Sequence, residues 1–265
     1  MLRIFSVNVS LRGVPKGQRS NLSERLLRPF GSRNDTAFFI ILFLIFNSNS
    51  SQAQTAPLPF KKGEVITFKI EQMKVKAGEA KLSFEGLQEI NGRSLYLIIF
   101  KSDGLNFYDE EKIYLDPQSF RPVKVLRDLN IWGKKEKITE DYLPQEKKIR
   151  ITKIAGEKTT TEELRMPQEV ENIYGFIYRY RQSGSFKVGE QVDISLPTKQ
   201  IKIKVDKKTK FKAIGKEFDA FYLNSDPSKY KIWLDASGTH IPLKISGSMG
   251  VANTVMNIID YKEGQ

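Results

Sequence analysis

Cysteine is absent from the 265 residues and histidine occurs once, at His240. Disulfide frameworks, Cys/His zinc sites and a two-histidine facial triad are thereby excluded, and a carboxylate-only cluster would suit Ca²⁺ or Mg²⁺ better. No D-x-D-x-D-G loop, P-loop or Gly-x-Ser-x-Gly elbow is present; Ser246-Gly247-Ser248 falls in a strand pattern, not at a strand-to-helix turn. Long apolar runs are also lacking. Ala37 to Phe46, AFFIILFLIF, has ten residues, whereas a helix crossing a bilayer needs about 20. The domain is therefore expected to hold together by burial alone, with no metal and no cofactor.

The short run instead has the length of a signal-peptide core. Small residues at Ser51 and Ala53 mark an expected cleavage after Ala53, which divides the chain into a leader, 1–53, and a single β-rich domain, 54–265. No Cys follows the core, so the bacterial lipoprotein route is excluded. The leader's seven basic residues (Arg3, Arg12, Lys16, Arg19, Arg25, Arg28, Arg33) oppose Glu24 and Asp35; an uncleaved anchor is the alternative reading. Taking these from 43 Lys and Arg and 31 Asp and Glu leaves +7 for the mature chain, enough to attract anionic partners or simply to keep the surface soluble. Periplasmic residence with no membrane span after cleavage is expected.

What remains speaks in period two. VITFKI, SLYLIIF, KIRITKI, IKIKV and TVMNIIDY are short, rich in β-branched and aromatic residues, and bounded by Lys62-Gly63, Asn91-Gly92 and Ser237-Gly238. The pattern predicts an all-β fold, a large curved antiparallel sheet that curls into a barrel, half-barrel or sandwich. One phrase occurs twice: IYLDPQSFRPVKV from Ile113 and IWLDASGTHIPLKI from Ile232, each a hairpin in which Asp116 or Asp235 starts the turn and Pro122 or Pro242 opens the return strand. Upstream, GRSLYLIIFKSD from Gly92 is echoed by GKEFDAFYLNSD from Gly215, which suggests two related halves.

Between the halves, Gln168 to Gln182 reads as an amphipathic helix, with Pro167 at a first turn, apolar residues at Val170, Ile173, Tyr174, Ile177 and Tyr178, and a stop at Gly184. As a lid over an apolar cavity it would place Tyr174, Tyr178, Tyr180 and Arg181 in a ligand site with Trp233, and Tyr178→Ala would weaken binding; as plain cover, the same stripe is core. Lys199 to Lys212 alternates lysines with Ile201, Ile203 and Val205, giving a basic face in which Lys202 and Lys204 would steer anionic ligands; the plainer reading is a solvated face guarding an edge. His240 is expected in solvent, and Asp109, Glu110 and Glu111, being neighbours on a strand, are expected as surface charge.

From Gly63 almost to the C-terminus the chain resembles domain of unknown function 3108, a group of exported Gram-negative envelope proteins. The resemblance rests on GEVITFKIEQMKVKAGEAKLSFEG, the helix ending in Tyr180-Arg181, KVGEQVDISL from Lys187 and WLDASGTHIPLKI. It implies a β-rich periplasmic domain with no established enzymatic activity. Relatives tend to show Asp and Ser where this chain has Asn172 and Gly175. Together these observations lead to the expectation of a non-catalytic periplasmic protein that binds an amphipathic or anionic envelope component (lipid, lipopolysaccharide or polymer), with no nucleic-acid role. A structural adaptor for envelope protein partners is the alternative, and a hydrolase on envelope polymer, which would require carboxylates converging in a cleft, comes third.

Overall fold

Alternation of buried and half-buried residues begins at once in the first strand, where Glu64, Ile66, Phe68 and Ile70 all point to one face; such a period puts successive side chains on opposite sides of a sheet. The computed structural model describes residues 57–265 apart from 73, 167, 250 and 251, so the leader and Pro167 lie outside the described residues. The strands are β1 (Glu64–Gln72), β2 (Val75–Ile90), β3 (Arg93–Gly104), β4 (Phe107–Leu115), β5 (Pro122–Ile131), β6 (Lys134–Leu143), β7 (Lys148–Ala155), β8 (Lys158–Arg165), β9 (Gln191–Leu196), β10 (Lys199–Ala213), β11 (Lys216–Asp226), β12 (Tyr230–Asp235), β13 (Pro242–Met249) and β14 (Ala252–Lys262). The helix α1 (Ile173–Ser183) connects β8 to β9.

All fourteen strands form one antiparallel sheet in the order β8-β7-β6-β5-β4-β3-β2-β1-β14-β13-β12-β11-β10-β9. Two meanders thus fan out from a central β1–β14 pair, and the edges, β8 and β9, are not paired with each other. Of the forms the sequence pattern allows, this is an open curved sheet. Bulges help to bend it: register shifts occur in β1, in β2 next to Gly86, and in β10, and an extra residue on one strand sharpens the local twist. Gly86 holds φ +73, a conformation costly for other residues, and an added Cβ there would press on the Lys62 stem. The exposed edge β8 reads KTTTEELR and buries no side chain, the charged and threonine-rich composition that keeps an edge from pairing with other chains.

The two similar hairpins pair alike. Ile113 faces Val125, Tyr114 faces Lys124 and Leu115 faces Pro122 across a bulge; Ile232 faces Ile245, Trp233 faces Lys244 and Leu234 faces Pro242 across another. Asp116 Oδ1 accepts from the Gln118 and Ser119 amides, and Asp235 Oδ1 from the Ser237 amide. The preceding strands are offset: Leu97 faces Tyr114, but Tyr222 faces Trp233, two residues away from the alignment of the upstream phrases, a slip that preserves the buried face.

Helix α1 starts later than its periodicity suggests. Asn172, in extended conformation, accepts from the Tyr174 and Gly175 amides and caps the first turn, while the Glu171 amide is taken by the Ser195 carbonyl. Residues 168–171 are therefore not helical. A side chain at 175 would need room from Leu115, whose Cδ2 lies 3.1 Å from an ideal Cβ. The sheet wraps the helix: Tyr174, Gly175, Phe176, Ile177, Tyr178, Tyr180 and Arg181 are all buried, the signature of a helix enclosed on most sides. Phe60, Phe84 and Tyr178 meet with ring centroids 4.8–5.7 Å apart, and Phe100 stacks on Tyr174 at 4.1 Å, separations at which aromatic pairs add to area burial.

Candidate functional site

Two polar centres lie inside the curl, one at each end of α1. At the C-terminal end, Arg181 and Glu64, with side chains 0% and 1% exposed, form a two-pronged ion pair: Nη1 to Oε1 at 2.7 Å and Nη2 to Oε2 at 2.8 Å. The remaining capacity is used as well. Arg181 Nε donates to the Thr239 carbonyl, and Glu64 accepts from the Tyr178 and Tyr261 hydroxyls. Phe60 and Tyr178 stack on the guanidinium from 4.9 Å. Burial alone would make Arg181 a weaker cation, but the bonds and charge of Glu64 carry its pKa upward; burial and Glu64 also push the Tyr178 hydroxyl well above its usual value. Every partner is satisfied, so this centre is a latch that ties α1 to β1, β14 and the β12–β13 turn.

The other end of α1 faces open space. A cavity of about 410 Å³ lies between the N-terminal turn of the helix and the inner face of the sheet. Ile70, Phe100, Phe107, Leu129, Ile131 and Met256 are among its walls, and its mouth lies at the β3–β4 and β5–β6 turns, with Trp132 in its lining. Within it Asp109, Glu111 and Arg127 come together. Asp109 and Glu111 are two apart on β4, on the same face as Ile113 and Leu115, and they converge on Arg127, which stands on β5 directly across from Glu111. Both Asp109 oxygens accept from the guanidinium, Glu111 Oε1 sits 3.4 Å from Arg127 Nε, and Asn172, the helix cap, donates to Glu111 Oε2 at 3.2 Å. Glu140, bonded to the Tyr142 hydroxyl at 2.6 Å, has its own pKa raised by burial.

Burial is the chief reason the Glu111 carboxyl is pushed up to about 7; the nearby Asp109 adds to the rise, while Arg127 and Asn172 restrain it. The folded state therefore binds more protons than the unfolded chain between pH 4.5 and about 7. The resulting stabilisation is complete below the unfolded value and is lost as pH rises through the folded one. Between pH 5 and pH 8 it should shrink by up to about 3 kcal/mol. Urea titrations of the natural protein and Glu111→Gln at both pH values test this: the variant should lose most of the slope, and an unchanged slope would show that Glu111 is not its source.

A second hollow, about 340 Å³, lies at the opposite end of the sheet. Four cations line it: Arg121 is committed to Glu169 and Glu171 and Lys148 to Glu146 and Glu163, while Arg93 and Lys147 stand beside them without an ion pair among the described residues.

The structure separates the residues expected in one site. Tyr174 lines the cavity, and burial followed by the charges of Glu111 and Asp109 raises its hydroxyl pKa well above the usual value. Tyr178 and Arg181 belong to the latch, and Tyr180 donates to Glu190 at 2.6 Å. Trp233 points to the convex face between buried Ile232 and Leu234, packed against Tyr222 and Lys244. Lys202 and Lys204 are on that outer face too, near Asp193 and Asp206. Asp109 and Glu111, by contrast, are not surface charge; only Glu110 between them takes the other side. The signal for this was the i, i+2 placement of two carboxylates in line with Phe107, Ile113 and Leu115. His240 is not a free loop residue either: it stacks on Phe186 at 3.8 Å and its Nδ1 lies 2.9 Å from the Asp235 carbonyl.

Fold and site together define an open β-barrel-like sheet with a helix in its hollow and a cavity at one end. The chain belongs to the family described as "Protein of unknown function (DUF3108)", whose profile matches residues 66–259. Its architecture is similar to that of a crystallised "Beta-barrel-like Protein of Domain of Unknown Function DUF1849" from Brucella abortus, with 8% identity and a TM-score of 0.51 over 79% of this chain and 100% of the other. A protein from Parabacteroides distasonis described as "a putative lipoprotein" matches with 9% identity and a TM-score of 0.26 over the same shares. No curated protein matches. Among the described residues no helix is long and apolar enough to cross a membrane.

Proposed function

We propose that this protein is an exported, non-catalytic binding protein of the cell envelope that holds an amphipathic molecule in the cavity at the N-terminal end of α1. The cavity carries the proposal: about 410 Å³ lies within the usual range of ligand pockets, roughly 300–1,000 Å³, and mostly apolar walls with a few convergent polar groups are the usual lining. The polar groups narrow the ligand. Asp109 and Glu111 outnumber Arg127, and Arg127 is already engaged by both, so the wall accepts hydrogen bonds and disfavours a second anion. An alkyl chain bearing a hydroxyl or amine suits it better than one bearing a carboxylate. The Lys202 and Lys204 face lies outside this cavity, and both lysines have acids nearby, Asp193 and Asp206, so it takes no part in holding the ligand. Export rests on the apolar core at 37–46 with its small-residue exit.

Fluorescent alkyl probes that differ only in the head group test the idea. Saturable binding of the amine and hydroxyl probes is expected at pH 8, about tenfold tighter than the carboxylate. Leu129→Trp, which fills the space, should reduce it at least tenfold without unfolding the protein. No saturable binding of any probe would remove the carrier reading and leave the adaptor for envelope protein partners.

A hydrolase is the second reading, because Asp109 and Glu111 do converge in a cleft and Glu111 titrates near neutrality. Against it, both oxygens of Asp109 are tied to Arg127. Turnover of an envelope polymer abolished by Glu111→Gln would favour it.

A further inference from the structure

Eight large apolar side chains are exposed among the described residues, and four of them, Val75 (68%), Leu105 (93%), Trp132 (72%) and Ile154 (44%), lie at or within two residues of four alternate turns, β1–β2, β3–β4, β5–β6 and β7–β8. In an antiparallel meander alternate turns share one end of the sheet, so these four line a single rim, at intervals of roughly 10 Å given the usual strand spacing. It is the rim on which the cavity opens. The arrangement is held in place: the Trp132 amide donates to the Asn106 carbonyl at 2.8 Å, which joins the second and third turns, and Lys74, Trp132 and Gly133 adopt positive φ that turns the chain sharply at the tips.

Exposed cations accompany the apolar tips. Lys74, Lys134, Lys135 and Lys158 are exposed and none has an ion-pair partner among the described residues; Lys76 is paired with Glu79. Two exposed acids, Asp103 and Glu157, share the rim, so the four unpaired lysines leave it net positive.

We propose that this rim docks on an anionic lipid surface, with Leu105 and Trp132 entering the interface and Val75 and Ile154 flanking them. Tryptophan is favoured at the boundary between headgroups and acyl chains, and apolar insertion combined with basic residues is what makes peripheral binding depend on lipid charge; a lysine near such a surface strengthens it by roughly fivefold. A protein partner fits less well. The apolar groups stand singly on separate tips with lysines among them, whereas a stable protein interface needs about 800 Å² of continuous surface on each side. Docking does not require the cavity to be filled, but it would place the mouth against the lipid.

The chain contains two tryptophans, so Trp233→Phe, on the convex face, leaves Trp132 as the sole reporter. With phosphatidylcholine vesicles carrying brominated acyl chains and containing phosphatidylglycerol, Trp132 emission should shift to the blue and be quenched. Omitting phosphatidylglycerol or adding high salt should weaken the effect at least tenfold. Adding Leu105→Ser and Val75→Ser should do the same with the unfolding midpoint unchanged. Absence of quenching, or quenching indifferent to Leu105→Ser and Val75→Ser, overturns the proposal, and so does a dimer in sedimentation that those substitutions dissolve, which would assign the rim to a second copy. Alkyl-probe binding without vesicles separates the two ideas: a protein that binds the probe but not vesicles keeps the cavity and loses the rim, and the reverse keeps the rim alone.

Discussion

Arg181→Met should destabilise the fold by about 3–5 kcal/mol, the usual cost of leaving one member of a buried ion pair without its partner. Glu64 would then face Tyr178 and Tyr261 with no cation in reach and would have to take up a proton, so the loss should be greater at pH 8 than at pH 5. The remedy is specific. Removing the acid as well, in Glu64→Leu with Arg181→Met, should recover most of the loss, because apolar replacement of a complete buried pair is often neutral or better. Urea denaturation of the two single variants and the double variant, read as a double-mutant cycle, measures the coupling. If Arg181→Met unfolds within about 1 kcal/mol of the natural protein, the latch is not what fastens the helix.

Tyr178→Ala should cost about 3–5 kcal/mol, as expected for an aromatic side chain removed from a packed core. The ring touches Phe60 and Phe84 and stacks on the Arg181 guanidinium, so its loss both opens a hole and exposes the latch. Tyr178→Phe keeps the ring and gives up only the hydroxyl bond to Glu64, worth about 1 kcal/mol. Since Tyr178 is not among the cavity walls, alkyl-probe affinity measured below the unfolding transition should be unchanged in both variants. This reverses the outcome drawn from sequence, where Tyr178 stood in the ligand site, and a specific loss of probe binding in folded Tyr178→Phe would restore the earlier view.

The sheet was legible because period-two alternation and turn residues such as Asn91-Gly92 are local properties, and the two hairpins announce their own pairing through Asp116, Pro122, Asp235 and Pro242. The helix was legible in kind but not at its start: Gln168 to Glu171 continue the polar and apolar spacing of a helix, yet Asn172 supplies a cap that ends the extended segment. Long-range partners left no mark. Nothing around Glu64 shows that its partner stands at position 181, whereas the Glu111–Arg127 pairing follows from the register of the β4–β5 hairpin and only its place inside the curl was hidden. The Arg181–Glu64 pair exists only once the sheet has curled around the helix. A tyrosine stripe likewise does not tell a ligand wall from a core, which is why Tyr174 reached the cavity while Tyr178 and Tyr180 did not.

The pairing of β1 with β14 bears on how the chain folds. Twelve of the thirteen ladders join strands adjacent in sequence and can form as isolated hairpins, whereas this one brings together Glu71 and Asn257, 186 residues apart. The entropy of closing a loop grows with its length, and contacts between distant residues slow folding. The middle of the sheet should therefore be the last part to assemble. Amide protons in β1 and β14 should gain protection later in refolding than those in β10 and β11, and during synthesis the first strand waits for the final one to appear.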